Sequence, residues 1–195
     1  MKIKQKLDTL VQKIVDAVSG NGVMQEENIA DGTARAFEPM PDIALKAAEE
    51  SIVLLKNINN TLPVKADEVI SVFGRCQIDY FYVGYGSGGD VNAPYQVNLI
   101  KGLKDCNANI YSPVLNLYED WCEKNPVSHG FWGHWPMCFP EMELEERIVK
   151  SAADNSDSAI VVIGRAAGED RENKLEQGSY YLTDMEIKML DLVTA

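Results

Sequence analysis

The sequence predicts an α/β protein, a three-layer α/β/α sandwich around a mostly parallel sheet. Three observations carry that reading. Two short apolar runs read as strands: 159–163, composed like one buried on both faces of a parallel sheet, and 69–73, apolar and β-branched. Segments with helical apolar spacing surround them. The order along the chain alternates helix and strand through seven elements, the pattern of a sheet with helices on both faces.

In chain order, residues 1–20 place Ile3, Leu7, Leu10, Val11, Ile14 and Val18 on one helical face with lysines opposite, an amphipathic helix that packs on the domain or on a neighbour. Gly20-Asn21-Gly22 ends it. Glycine, asparagine, aspartate and two prolines then mark a linker or extended arm. Residues 1–41 are thus read as an N-terminal helix and arm, and 42–195 as the sandwich domain. Pro41 opens a helix in its first turn, with Leu45, Ala48, Ile52 and Leu55 facing a core. Residues 57–63 stop it, and 69–73 form a strand. A loop over 74–90 ends in GYGSGGD, and 95–104 read as a helix broken by Gly102. A third strand is expected at 110–115, although Pro113 counts against it. Residues 116–140 read as irregular and aromatic, and 141–153 as a helix with Leu144, Ile148 and Ala152 on one face. After the strand at 159–163 comes a charged loop. Thr183 followed by Glu186 is a capping box that starts the final helix. The chain closes on that helix, where an alternating fold expects another strand. The expectation is a piece of something longer, with an incomplete sheet whose exposed edge invites a homodimer or a partner chain.

Composition narrows the function. The net charge of −12 over 195 residues argues against nucleic acid, which needs clustered Lys and Arg to displace counterions. No stretch approaches the roughly 20 apolar residues of a membrane span, and the N-terminus lacks the apolar core of a secretory signal. Cys76, Cys106, Cys122 and Cys138 show no CxxC spacing, so they read as reduced thiols in a cytoplasmic protein.

Three motifs are candidates for chemistry. Gly84, Gly86 and Gly89 match G-x-G-x-x-G, but a dinucleotide site needs a strand running into the first glycine and a helix leaving the last. Here the strand ends early and Pro94 follows, so the bland reading is a Gly-rich loop at a strand's carboxyl end. Ser87 is no elbow nucleophile, since position 85 is Tyr rather than Gly. His129, His134 and Cys138 fit no zinc spacing, and no metal or other cofactor is expected. The loop around them, GFWGHWPMCFP, either packs over the domain or presents aromatic surface to a partner or a sugar. The third motif is Glu169-Asp170-Arg171, in the charged loop after the strand at 159–163. Ligands of open α/β sheets sit outside the carboxyl ends of strands, which is where this loop belongs. A carboxyl donates a proton at neutral pH only when burial or a like charge lifts its pKa. Asp170 acts in that direction, and Arg171 and Arg165 act against it.

Taken together, ESIVLLKN (50–57), Leu62-Pro63, the strand ISVFG and the loop GYGSGGDV resemble the C-terminal α/β sandwich domain of glycoside hydrolase family 3, the β-glucosidase family. So do AIVVIGRAAGEDREN and YYLTDMEIKML further on. The resemblance covers about 42–195 and implies a retaining β-glycosidase. In that family a barrel domain supplies an Asp nucleophile and the sandwich supplies a Glu as general acid/base. The Gly-Glu of GRAAGEDR assigns that role to Glu169, with Asp170 or Glu172 as alternatives because the family often spaces the Glu further from the Asp-Arg. Asp170, Arg171, Ser87, Asp90 and Trp132 are candidates for binding the sugar. The implied substrate is a β-linked oligosaccharide or glucoside. The implied partner is the barrel, absent from this sequence, and the Met only about 40 residues before the sandwich resembles members with swapped order, sandwich first and barrel after. This chain alone is then expected to be inactive. The rival is a non-catalytic ligand-binding or interaction domain of flavodoxin-like shape, with Glu169 a solvated charge.

Overall fold

A computed structural model describes residues 40–82, 84–86, 95–130, 134–169 and 172–195. The helix and arm expected over residues 1–39 lie outside these. Helix α1 spans Met40–Ser51, strand β1 Val69–Phe73, helix α2 Leu99–Asp105 and strand β2 Asn109–Ile110. Helix α3 spans Ser112–Lys124, α4 Glu146–Asn155, strand β3 Ser158–Val161 and helix α5 Asp184–Thr194. The three strands form one parallel sheet in the order β2-β1-β3. Val69 and Ile70 pair with Asn109 and Ile110 on one side. On the other, Ile70 to Phe73 pair with Ser158 to Val161.

β1 is the centre because alternate residues serve two cores. Ile70 and Val72 pack with Ile100 of α2 and Leu115. Phe73, on the opposite face, packs with Val114 and Tyr118 of α3, Val149 and Ala152 of α4, and Met189 of α5. Two cores on two faces of one sheet make the expected three layers. Among the described residues, Tyr118 and Phe73 are the largest side chains fully shielded from solvent, and such burial contributes about 1.5–3 kcal/mol each. Just past β1, Arg75 is also buried. It pairs with Asp79 at 2.7 Å and lies 4.7 Å from the Trp121 ring centroid, and its backbone N–H donates to Glu141 Oε2 at 2.7 Å.

Several expectations are corrected. The third strand is only two residues long. Pro113, counted against a strand, sits in the first turn of α3, where its missing N–H costs nothing. The region read as irregular from 116 therefore begins inside a helix, which buries Val114, Leu115, Tyr118 and Cys122. Gly102 does not break α2, whose start is capped by Asn98 accepting from the Lys101 N–H at 2.8 Å. α4 begins five residues later than expected: 141–145 are not helical, and the Glu141 carboxylate accepts from the Arg75 and Met142 N–H groups. β3 is not buried on both faces. It flanks β1 at the edge of the order, and Ala159 is exposed while its neighbours are half-buried. Finally, the stripe on α1 meets no core among the described residues. Leu45 is 61% exposed, Ile52 78% and Leu55 91%, and the helix stops at Ser51, before the apolar run is finished.

Candidate active site

The site lies where the loops leaving β1 and β3 run side by side. Pairing continues past the strands, with the Val162 N–H donating to Phe73 O at 2.9 Å. Gly74 permits this approach. Its φ is +98°, and a Cβ there would stand 2.2 Å from Val162 O. The loops meet again further out. The Tyr85 N–H donates to Ala167 O at 3.1 Å, and the Glu169 N–H donates to Tyr85 O at 3.0 Å. The result is a short parallel bridge between Tyr85 and Gly168. A Cβ on Gly168 would lie 2.0 Å from Tyr85 O, and one on Gly84 would lie 2.9 Å from Ala167 O. Gly84, one of the glycines that mimic a dinucleotide fingerprint, thus has a different local use: it lets two backbones touch.

Glu169 is exposed at this junction, beyond the carboxyl ends of β1 and β3. Its side chain lies over Gly86, which is buried and has φ +121°. A Cβ on Gly86 would come 2.5 Å from Glu169 Cβ and 2.9 Å from Oε2.

The base of the Glu169 loop is clasped by Arg165. Its guanidinium donates to both oxygens of Glu186, to Ser179 O at 2.9 Å and to Tyr181 O at 3.3 Å. Glu186 in turn accepts from the Thr183 N–H and hydroxyl, completing the capping box at the start of α5. Burial pushes the Glu186 carboxyl up, but the hydrogen bonds from Arg165 and Thr183 outweigh it and hold the group below the usual carboxylate range. The hydrogen bonds of the Arg165 guanidinium thus go to Glu186 and to the backbone of the segment before α5. A further tie runs from the Ala166 N–H to Met137 O at 2.9 Å.

That tie leads to an aromatic wall. Trp135 stacks on Tyr85 with centroids 5.2 Å apart and planes 8° from parallel. Phe81 stacks on Phe139 at 4.3 Å, and Tyr85 meets Phe81 edge-on. Trp135 and Phe139 thus pack on Tyr85 and Phe81 next to Glu169, while His134 stands exposed beside them. Among the described residues, no three His, Cys, Asp or Glu side chains converge as metal ligands do.

Of the residues expected at the site, Glu169 is placed at the loop junction and Glu172 is exposed three positions on. Ser87, Asp90, Trp132, Asp170 and Arg171 lie outside the described residues. Sequence reasoning missed Tyr85 and Trp135, whose stack joins the two loops. It also missed the second role of Glu186, hidden behind its capping signal.

Comparison with known proteins gives three findings. The sequence profile of the glycosyl hydrolase family 3 C-terminal domain matches residues 52–194. A β-glucosidase of Ruminococcus albus is 44% identical over 149 residues, which is 74% of this chain and 16% of that protein. β-Glucosidase A of Butyrivibrio fibrisolvens is 33% identical over 176 residues, 78% of this chain and 21% of that protein. This chain therefore spans about a fifth or less of the curated relatives it matches. Among solved structures, a β-glucosidase from Paenibacillus barengoltzii superposes with a TM-score of 0.79 at 44% identity, covering 82% of this chain and 18% of that one. β-Glucosidase 3B from Thermotoga neapolitana, solved in complex with α-D-glucose, gives 0.70 at 29% identity, covering 80% and 22%.

Proposed function

Because this chain belongs to glycosyl hydrolase family 3, whose C-terminal domain it carries, we propose that it is the acid/base-bearing part of a retaining β-glucosidase and that Glu169 is the proton donor. The observation that supports this most is the placement of Glu169: an exposed carboxyl on a loop beyond two parallel strand ends, held from below by backbone pairing. Residues 42–195 are the sandwich domain and 1–41 an arm leading into it. A barrel domain elsewhere in the polypeptide supplies the nucleophile and most of the sugar pocket. The apolar run from Ile52 to Leu55, exposed here yet inside the matched segment, supports a larger assembly around this chain. The four free thiols support a reducing, cytoplasmic setting.

The chemistry follows from two carboxyls about 5–5.5 Å apart. As the barrel's carboxylate attacks the anomeric carbon, Glu169 gives its proton to the glycosidic oxygen and the alcohol leaves. Water then attacks the glycosyl-enzyme from the same face. Glu169, now a carboxylate, removes the proton of that water, and the sugar departs with retained configuration.

The test is Glu169→Gln in the full-length polypeptide. For aryl β-glucosides with poor leaving groups, kcat/KM should fall by about 10²–10⁴-fold, while kcat/KM on dinitrophenyl glucoside, whose departure needs no proton, should change little even as kcat falls with the unassisted attack of water. Equal losses on both substrates would remove Glu169 from the acid role.

A further inference from the structure

Resting on the reading of Glu169 as acid/base, we propose that Gly86 is a positioning residue for that carboxyl: the Gly-rich loop after β1 is a seat whose missing side chain is the space Glu169 occupies. Gly86 is buried although the loop is at the surface, and the Glu169 side chain lies over it. Its φ of +121° is a backbone conformation that L side chains rarely adopt. The seat is registered along the chain by the two hydrogen bonds that flank Gly168, Tyr85 N–H to Ala167 O and Glu169 N–H to Tyr85 O. Gly168 itself cannot carry a side chain without striking Tyr85 O. The stack of Trp135 on Tyr85 steadies the seat from the side.

The sizes involved decide the consequence. A methyl at Gly86 would stand 2.5 Å from Glu169 Cβ. Ordinary carbon contact is about 3.5–4.0 Å, so the side chain must retreat by about 1 Å. A general acid must lie within about 2.6–3.2 Å of the oxygen it protonates. Displacement of about 1 Å can cost about 10²-fold in rate. The loss should fall chiefly on the proton transfer, because the atoms that a methyl at Gly86 would strike belong to Glu169.

The experiment compares Gly86→Ala, Gly84→Ala and Glu169→Gln in the full-length polypeptide, each assayed as kcat/KM on a phenyl and a dinitrophenyl β-glucoside. Gly84 lacks a left-handed backbone, so Gly84→Ala presses the loops apart without conformational strain and keeps the test open should Gly86→Ala fold poorly. Amide hydrogen exchange at Glu169 and Tyr85, referred to the Val162 amide in the sheet, reports the loop pairing without any assay of activity. The expected result is a loss of about 10²-fold on the phenyl glucoside for Gly86→Ala, a smaller loss for Gly84→Ala, and little change on the dinitrophenyl glucoside for either. Exchange should quicken at Glu169 and Tyr85 but not at Val162. Wild-type activity of both glycine variants on both substrates overturns the proposal, as do equal losses on the two substrates. In either case a leaving-group-dependent loss in Glu169→Gln leaves the acid/base reading standing. If Glu169→Gln shows no such dependence, that reading itself fails and takes the proposal with it.

Discussion

Arg165 holds Glu186 by both carboxylate oxygens, Nη1 to Oε1 and Nη2 to Oε2, each at 2.6 Å. The pair joins the exit of β3 to the first turn of α5 and so closes the loop that carries Glu169. Glu186 is 4% exposed, so a cut partner leaves a poorly solvated charge. Glu186→Gln and Arg165→Ala should each cost about 2–4 kcal/mol in urea unfolding.

The pH dependence of that cost has a defined sign. Glu186 titrates below its ordinary range when folded. Its contribution is therefore present above about pH 4.3 and is lost as the pH falls through the lowered value. Glu141 is the opposite case. Burial pushes its carboxyl up, against the hydrogen bonds from the Arg75 and Met142 backbone. Its contribution is complete below about pH 4.3 and is lost as the pH rises through the raised value. Unfolding measured from pH 3 to 7 should show the penalty of Glu186→Gln growing with pH, and that of Glu141→Gln shrinking.

Two glycines should respond in opposite directions. Gly74→Ala puts a Cβ 2.2 Å from Val162 O at a φ of +98° and should cost about 2–4 kcal/mol by parting β1 from β3. In Gly102→Ala the nearest atom is 4.0 Å away, inside α2, and the change should stabilise by up to about 1 kcal/mol. Urea midpoints with unchanged slopes check both.

The cysteines should separate by reactivity. Cys106 is exposed, whereas burial pushes the thiols of Cys76 and Cys122 up to about 11 and about 12. Cys138 is intermediate, also raised by burial. Because the thiolate is the reactive form, a disulfide reagent at pH 8 should label Cys106 at once, Cys138 more slowly, and the other two only after unfolding.

Isolated residues 1–195 should not hydrolyse an aryl β-glucoside above the level of their own Glu169→Gln variant. One carboxyl cannot complete a two-carboxyl cycle. Turnover above that level by the isolated chain would contradict the proposed need for a barrel.

Legibility in the sequence varied with what each signal reports. β1 was readable to the residue because every position of VISVF is apolar or small and lies between two cores. The capping box was readable because Thr183 and Glu186 answer only to each other locally. The Ile110–Leu115 region was misread because apolar continuity looks alike in a strand and in a buried helix start, and Pro113 was weighed only as a strand breaker. The α1 stripe was misread because spacing says which residues share a face, not what covers it. At the site, the position of Glu169 after a strand was legible. The Gly86 seat was not, since contact between loops more than eighty residues apart leaves no spacing to read.

The most direct test of Glu169 as acid/base is the product formed when azide is offered to the full-length Glu169→Ala enzyme with dinitrophenyl β-glucoside. Azide attacks the glycosyl-enzyme without needing a base, so the account predicts faster turnover and a β-glucosyl azide of retained configuration. An α-glucosyl azide, or no acceleration by azide, would contradict it.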